Sequence, residues 1–149
     1  MRVFFLIVLI FTTFCVNAKN WSFKYSGYAN SNIINLSNGG KIINLSNNGT
    51  WEDSLGNYGK GVCYGIAESN KDSDDFFQFY CELNDQDNEK FITKGYRKSE
   101  DVETGVGSQK IIDGTGKWIK FIGSICNYGV KYKDEVLFAS QKCKSIEKN

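Results

Sequence analysis

The segment Cys63–Cys81, CYGIAESNKDSDDFFQFYC, decides the fold of this chain. Its polar centre, Asn70 to Asp75, separates two stretches rich in apolar and aromatic residues, which is typical of a β-hairpin. The two cysteines are nearly equidistant from the tip, so they should face each other across the strands, where the Cα separation of about 4.5–5.5 Å suits a disulfide. We therefore predict an antiparallel hairpin braced by a Cys63–Cys81 bond.

A second pair of cysteines repeats this arrangement. Cys126 and Cys143 flank the polar segment KYKDEV, which is centred near Asp134. The same reasoning predicts a Cys126–Cys143 disulfide, and each bond would close a loop of about 18 residues, worth roughly 3 kcal/mol in the chain-entropy model. A zinc site with four thiolate ligands is disfavoured, because such sites usually bring their ligands in close C-x2–4-C pairs.

The first eighteen residues, MRVFFLIVLIFTTFCVNA, resemble a secretory signal peptide. Arg2 gives the positive start, an apolar run follows, and Ala18 is a small residue suited to cleavage. The run is shorter than the roughly 20 residues that span a bilayer, so we expect no stable membrane anchor after cleavage. The prediction is a signal peptide over residues 1–18, a single domain over 19–149, and a secreted or periplasmic location in which disulfides persist.

Composition excludes several classes of function. The 149-residue chain contains no His, which rules out Ser-His-Asp and Cys-His catalysis. Its 18 basic and 17 acidic residues are nearly balanced, which argues against nucleic acid as a partner. The segment from Asp113, DGTGKWIKFIGS, lacks the phosphate-loop pattern because Trp118 stands where Ser or Thr is required.

Two acidic segments have the spacing of calcium ligands. They are NKDSDD, from Asn70, and DQDNE, from Asp85. Neither has the glycine that a calcium loop needs at its sixth position, so we interpret both as solvated hairpin tips. We predict no metal site and no cofactor.

Strand signals recur along the whole chain. Short stretches rich in aromatic and β-branched residues are bounded by Gly, Asn, Asp or Ser, and none keeps helical spacing for more than about two turns. The predicted strands are Trp21 to Tyr28, Tyr58 to Ala67, Phe76 to Leu83, Lys90 to Arg97, Val106 to Ile112, Lys117 to Ile122, Ile125 to Tyr132 and Val136 to Lys142. With the duplicated segment described next, this gives eight to ten strands. The pattern predicts an all-β fold, a small antiparallel barrel of eight strands with two disulfides, and a β-sandwich fits the same spacing.

The segment from Ile33 to Thr50 contains nearly the same nine residues twice. Each copy holds a strand-like IINLS followed by a glycine-containing turn signal. Two copies are too few for a solenoid, which needs three or more units of about 20 residues. We interpret the segment as a duplicated hairpin arm or an edge strand, outside the core and turning through Asn38-Gly39-Gly40. A disordered loop and an adhesive surface are the alternatives.

A ligand site is predicted from the aromatic residues of the strands. Aromatic side chains supply apolar area together with a polar tip, and glycines at positions 61, 65, 105, 107 and 123 would leave room inside a barrel. Arg97, the single arginine beyond residue 18, could fix a carboxylate. The candidate ligand-binding residues are Tyr58, Tyr64, Phe79, Arg97, Trp118 and Tyr128, around a cavity that is open at one end and has few charged groups.

The segment Gly105 to Val130, GVGSQKIIDGTGKWIKFIGSICNYGV, resembles the glycine-punctuated strands of the allene oxide cyclase and dirigent-type barrels. It has a G-x-G strand, a GTGK turn and a following strand with Gly and Tyr. The resemblance covers a sixth of the chain and matches no catalytic position. It implies an eight-stranded antiparallel barrel with a central pocket and no metal or organic cofactor.

The sequence therefore favours a non-enzymatic protein that binds a small, partly apolar ligand in the mouth of a barrel. A cofactor-free cyclase or isomerase using a carboxylate and a tyrosine is the enzymatic alternative. A structural or adhesive surface protein using the duplicated segment is the third.

Overall fold

The computed structural model describes residues 20–70, 73–97 and 105–144. These residues form a closed barrel of eight antiparallel strands, each paired with its neighbours in sequence, and β1 pairs with β8 to close the sheet. The predicted barrel is confirmed, and the sandwich alternative is excluded by this closure. The strands are β1 (Asn20–Asn35), β2 (Lys41–Asp53), β3 (Tyr58–Asn70), β4 (Ser73–Asp85), β5 (Lys90–Arg97), β6 (Gly105–Gly114), β7 (Ile125–Lys133) and β8 (Val136–Lys144). The predicted signal peptide lies outside the described residues.

Both predicted disulfides are confirmed. Cys63 and Cys81 are directly opposite each other on β3 and β4, with their Cα atoms 4.1 Å apart. Cys126 and Cys143 are paired in the same way on β7 and β8, at 3.9 Å. The register of each hairpin therefore follows from the symmetric placement of its cysteines around the turn.

The duplicated segment forms the predicted hairpin, but it is not an arm outside the core. Two hydrogen bonds close the turn: the Leu36 N–H donates to the Gly40 carbonyl at 2.9 Å, and the Gly39 N–H donates to the Leu36 carbonyl at 3.0 Å. The first copy begins in the last three residues of β1, which is continuous with the predicted strand from Trp21, and then forms the turn; the barrel therefore has eight strands and not nine or ten. The second copy makes up most of β2, where Asn47 is buried.

The predicted strand Lys117 to Ile122 is instead a 3-10 helix, Gly116–Phe121, in the connection between β6 and β7. Trp118 and Phe121 are its buried residues, three positions apart, which is the period of a 3-10 helix. A strand would have turned Trp118 and Lys120 to the same face. The helix closes the base of the barrel because Trp118, fully buried, packs on Phe91 with ring centroids 4.5 Å apart.

An aromatic cluster fills the base around this helix. Trp21 stacks on Phe23, and the other ring pairs are tilted or edge-on. Aromatic side chains prefer such tilted and edge-on contacts to a face-to-face sandwich. The cluster contains Trp21, Phe23, Trp51, Phe91, Trp118 and Phe121.

Asp85 holds the helix to the sheet. Its carboxylate accepts a hydrogen bond from Trp118 Nε1 at 2.8 Å and lies 3.0 Å from Lys117 Nζ. It also accepts the backbone N–H groups of Asp87 and Glu89, which closes the turn between β4 and β5. The predicted solvated tip is therefore wrong at its first residue, since the Asp85 side chain is fully buried.

Lys117 also contacts the other two acidic side chains of this turn. Its Nζ also lies 2.7 Å from Asp87, and its backbone N–H donates to Glu89. Gly116 lies in the left-handed region with φ +50°, and a methyl group there would overlap the Glu89 carboxylate. In the other acidic segment, NKDSDD, Asn70 of β3 is paired with Ser73 of β4, and the side chains of the segment lie outside those that the structure describes.

In the described residues, no helix is long and apolar enough to cross a membrane.

We predict that the outer end of the β1–β2 hairpin can be shortened but that β2 cannot be removed. Deleting Ile33, Ile34, Ile42 and Ile43 removes two opposed pairs and keeps both the turn and the inward–outward alternation. We expect a loss of about 1–2 kcal/mol in the free energy of unfolding, because Ile33 and Ile34 are more than half exposed. Deleting Ile42 to Thr50 should abolish cooperative unfolding, since it opens the barrel. Urea denaturation followed by circular dichroism checks both variants, and a folded second variant would contradict the barrel role of β2.

We predict that Asp85 makes the protein sensitive to acid. Burial acts to raise the pKa of Asp85, but hydrogen bonds from Lys117, Trp118 and the turn backbone outweigh it and hold this pKa below its usual value. Because this pKa is lower in the folded than in the unfolded state, the ionised carboxylate stabilises the fold at every pH above the unfolded-state pKa of about 3.9. This stabilisation is lost as the pH falls from that value through the lower pKa of the folded state. Asp85→Asn should therefore cost about 2–4 kcal/mol at pH 7, and the difference from the wild type should shrink below about pH 4.

The matched control is Asp134→Asn, which changes an exposed carboxylate in the turn between β7 and β8. Free energies of unfolding measured from pH 7 to pH 2.5 should show no comparable loss for this variant. Equal behaviour of the two variants would refute the role given to Asp85.

Candidate ligand site in the barrel mouth

A cavity of about 90 Å³, partly open to solvent, lies inside the barrel above the aromatic base. Phe23 and Leu83 belong to both the base and the cavity wall, so they form its floor. Most of the lining side chains are apolar or aromatic, and they alternate along the strands with outward-facing residues. Apolar and aromatic examples from five different strands are Ala29, Leu45, Phe77, Phe79, Val130, Tyr132, Leu137 and Ala139.

Inward-facing glycines let aromatic rings lie flat on the wall. A methyl group at Gly65 would lie 2.8 Å from the ring of Phe77, and one at Gly107 would lie 2.5 Å from the Tyr128 hydroxyl. Gly95 accommodates Phe79 in the same way. The rings thus occupy the space that the glycines provide, and only a narrow central space stays open.

Two tyrosines in this wall differ in hydrogen bonding. The Tyr25 hydroxyl donates to the side-chain oxygen of Asn47 and lies 3.2 Å from the carbonyl of Gly61. The Tyr128 hydroxyl, by contrast, is buried and has no hydrogen-bond partner among the described residues.

Asn47 and Gln141 present further polar atoms without partners. Within the described residues, Asn47 Nδ2 and Gln141 Oε1 are buried and make no hydrogen bond. Both side chains are more than nine-tenths buried, and both line the cavity, as does Tyr128. A buried polar atom without a partner costs about 1–3 kcal/mol. The wall therefore offers a hydroxyl, an amide donor and an amide acceptor to a molecule inside the barrel.

Arg97 brings a positive charge to the same cavity. It is almost fully buried, and its guanidinium lies 5.1 Å from the centre of the Phe77 ring. Burial raises the pKa of Tyr128 to about 12, although the charge of Arg97 acts in the opposite direction. Burial also raises the pKa of Tyr132, again against the charge of Arg97. Both hydroxyls are therefore neutral near pH 7 and can donate as well as accept hydrogen bonds.

The structure brings four of the six predicted site residues to the cavity. Phe79, Arg97 and Tyr128 line it, and Tyr64 also belongs to its lining although most of its side chain is exposed. Tyr58 and Tyr64 project outward from β3, 62% and 63% exposed, because the inward positions of that strand are those of Gly61, Cys63 and Gly65.

Trp118 lies in the base and does not line the cavity. Gly123 is also misplaced by the prediction. It lies after the 3-10 helix with φ +97°, and no atom lies within 4 Å of a methyl group built there.

The sequence prediction missed Tyr25, Asn47 and Gln141. Tyr25 could have been found, since the alternation of Trp21, Phe23 and Tyr25 indicates one buried face. No local signal distinguishes Asn47 from the many other asparagines around it. In the described part of the chain, no group of acidic or cysteine side chains could hold a metal ion.

Comparison with protein-family models and with curated proteins finds no match to this chain.

We predict that the two buried tyrosines respond differently to loss of the hydroxyl. Tyr25→Phe removes a group that bonds Asn47 and Gly61, so it should cost about 1–3 kcal/mol of stability. Tyr128→Phe removes a hydroxyl without a partner and should leave the free energy of unfolding unchanged or slightly higher. Urea denaturation of the ligand-free protein measures both. A large loss in Tyr128→Phe would show that its hydroxyl is bonded in the folded state.

Proposed function

We propose that this protein is exported and binds a small, largely apolar ligand in the mouth of its barrel. One observation carries the proposal: an apolar cavity whose wall includes three buried polar atoms that no described residue satisfies. Natural structures satisfy most of their buried polar groups, and exceptions call for an explanation. A ligand with a polar group provides one.

The size of the cavity limits the part of the ligand that enters it. An apolar cavity of roughly 150 Å³ accommodates benzene, and this cavity measures about 90 Å³. Without movement of the wall, the enclosed part is therefore a short alkyl chain or a group smaller than a benzene ring. A longer ligand would extend out through the open side.

The polar atoms define the chemistry of that part. Tyr128 and Asn47 can donate hydrogen bonds and Gln141 can accept one, and all three are neutral near pH 7. A hydroxyl or carbonyl group on an apolar frame satisfies them without the desolvation cost of a second buried charge.

The remaining evidence is consistent with this role in an exported protein. The two disulfides fit an oxidising compartment, and the first eighteen residues have the pattern of a signal peptide. The resemblance of Gly105 to Val130 to allene oxide cyclase and dirigent-type barrels supports a central pocket in the same place. Because no Asp or Glu of the described chain lines the cavity, no observation favours the cyclase or isomerase alternative.

We predict that filling the cavity abolishes binding. Ala139→Phe places a ring in the cavity, whereas Thr50→Phe places one on the exposed outer face of β2. The probe is 1-octanol, whose alkyl chain fits a cavity too small for a benzene ring, and its binding is followed by isothermal titration calorimetry. Ala139→Phe should weaken binding at least tenfold relative to Thr50→Phe, at equal folded fraction by circular dichroism.

Two results would count against the function. Equal binding by the two variants would place the probe outside the barrel. Absence of binding by the wild type up to high micromolar probe, together with no ligand retained in native mass spectrometry of protein purified from its own host, would refute a binding role for the cavity.

A further inference from the structure

The outer surface of the barrel is divided by charge. On β1, β7, β8 and β6 up to Ile112, the described outward positions carry lysines and no Asp or Glu. These lysines are Lys24, Lys110, Lys131, Lys133, Lys142 and Lys144, and all of them are exposed. On β2 to β5, in contrast, lysines alternate with acids, and Lys90 pairs with Glu82 at 2.9 Å. The nearly neutral chain therefore has one basic face.

Two adjoining grooves, of about 690 and 740 Å³, run along this basic face. They share Ser22, Asn127 and Lys142. Gly129 leaves open space in the surface, since a methyl group built there would have only Val106 within 4 Å. The surface is thus concave where its charges are.

Three lysines line the grooves. Lys24 and Lys142 line the first, and Lys142 and Lys144 line the second, while no acidic residue of the described chain lines either one. None of the three forms an ion pair within that part of the chain. Their ammonium groups are free to bind an anion.

The strand register sets the spacing of these charges. Lys24 is opposite Ser140, and Lys142 is two residues farther along the same face, which gives a diagonal separation of about 7–8 Å between Cα atoms. Lys144 follows at about 7 Å along β8. Lys110 is two strands from Lys144, across Ile125, at about 10 Å. The three groove lysines therefore follow one another at steps of about 7–8 Å, and Lys110 lies to one side of them, outside the grooves.

Neutral hydrogen-bonding groups lie between the lysines. Asn127 is opposite Lys142 on β7, and Ser22 is opposite it on β1. Ser54 and Ser140 add further hydroxyls to the lining. A ligand that presents an anion at intervals, with hydroxyl groups between, matches both kinds of group.

We propose that this groove binds a linear acidic polysaccharide, with the lysines on its anionic groups and the Asn and Ser side chains on its hydroxyls. The groove lysines are not among the residues that line the barrel mouth, and the proposal does not depend on the function proposed for that mouth. A single-stranded nucleic acid is a poorer match, because no Phe, Tyr or Trp ring is exposed in the grooves to stack on bases. A flat bilayer is also a poorer match, because it cannot follow a concave surface.

The test measures binding of alginate oligosaccharides by the mature wild type, with dextran as the neutral comparison. The variant is Lys24→Gln with Lys142→Gln. The control is Lys41→Gln with Lys60→Gln, which removes the same charge from exposed lysines on β2 and β3. We expect the groove variant to bind alginate at least tenfold more weakly at low salt and the control to stay within twofold of the wild type.

The salt dependence gives an independent readout. Each cation that neutralises a polyanion releases counterions, so the slope of log affinity against log salt should fall by roughly 1–2 in the groove variant only. Equal loss in both variants would show non-specific attraction, and binding of dextran as tightly as alginate would exclude a charge-based site. Binding to phosphatidylglycerol vesicles without binding to alginate would assign the face to membranes. Each of these results would overturn the proposal.

Discussion

The hydrogen bond between Trp118 and Asp85 is the interaction on which the rest of the barrel depends. A barrel of eight strands needs side chains to fill its interior, and here a short 3-10 helix supplies two of them, Trp118 and Phe121, from the base. Asp85 satisfies the indole N–H, while Lys117 neutralises the buried carboxylate. The charge is thus paired and hydrogen-bonded in the way that buried charges require. Without this contact, the aromatic cluster of the base would lose its central ring.

Closing the base leaves the other half of the barrel free for a ligand. The lower half holds large aromatic side chains, and in the upper half glycines alternate with rings that lie against the wall. The aromatic packing is therefore concentrated at one end of the barrel. The open end tolerates unsatisfied polar atoms such as those of Tyr128 and Gln141. If the proposed function holds, the rigid base supports a binding site at the open end, an arrangement that is common in proteins.

The inner and outer faces of the same strands have independent chemistry. On β8, Ala139 and Gln141 face the cavity, while Ser140 and Lys142 face the outer groove. Because side chains alternate along a strand, a single segment contributes to an apolar interior and to a basic exterior without conflict. The two proposed sites can therefore be tested by separate substitutions.

What the sequence by itself determined is local: the hairpins, their registers and their disulfides, because cysteines equidistant from a turn must meet across it. It also predicted an all-β barrel and placed Phe79, Arg97 and Tyr128 in the cavity. Only the tertiary structure decided that KWIKF is a helix, since Trp118 is drawn into the base by Asp85, Phe91 and other residues far away in sequence. It likewise decided that Tyr58 and Tyr64 face outward, because closure between β1 and β8 fixes which side of every strand is the interior.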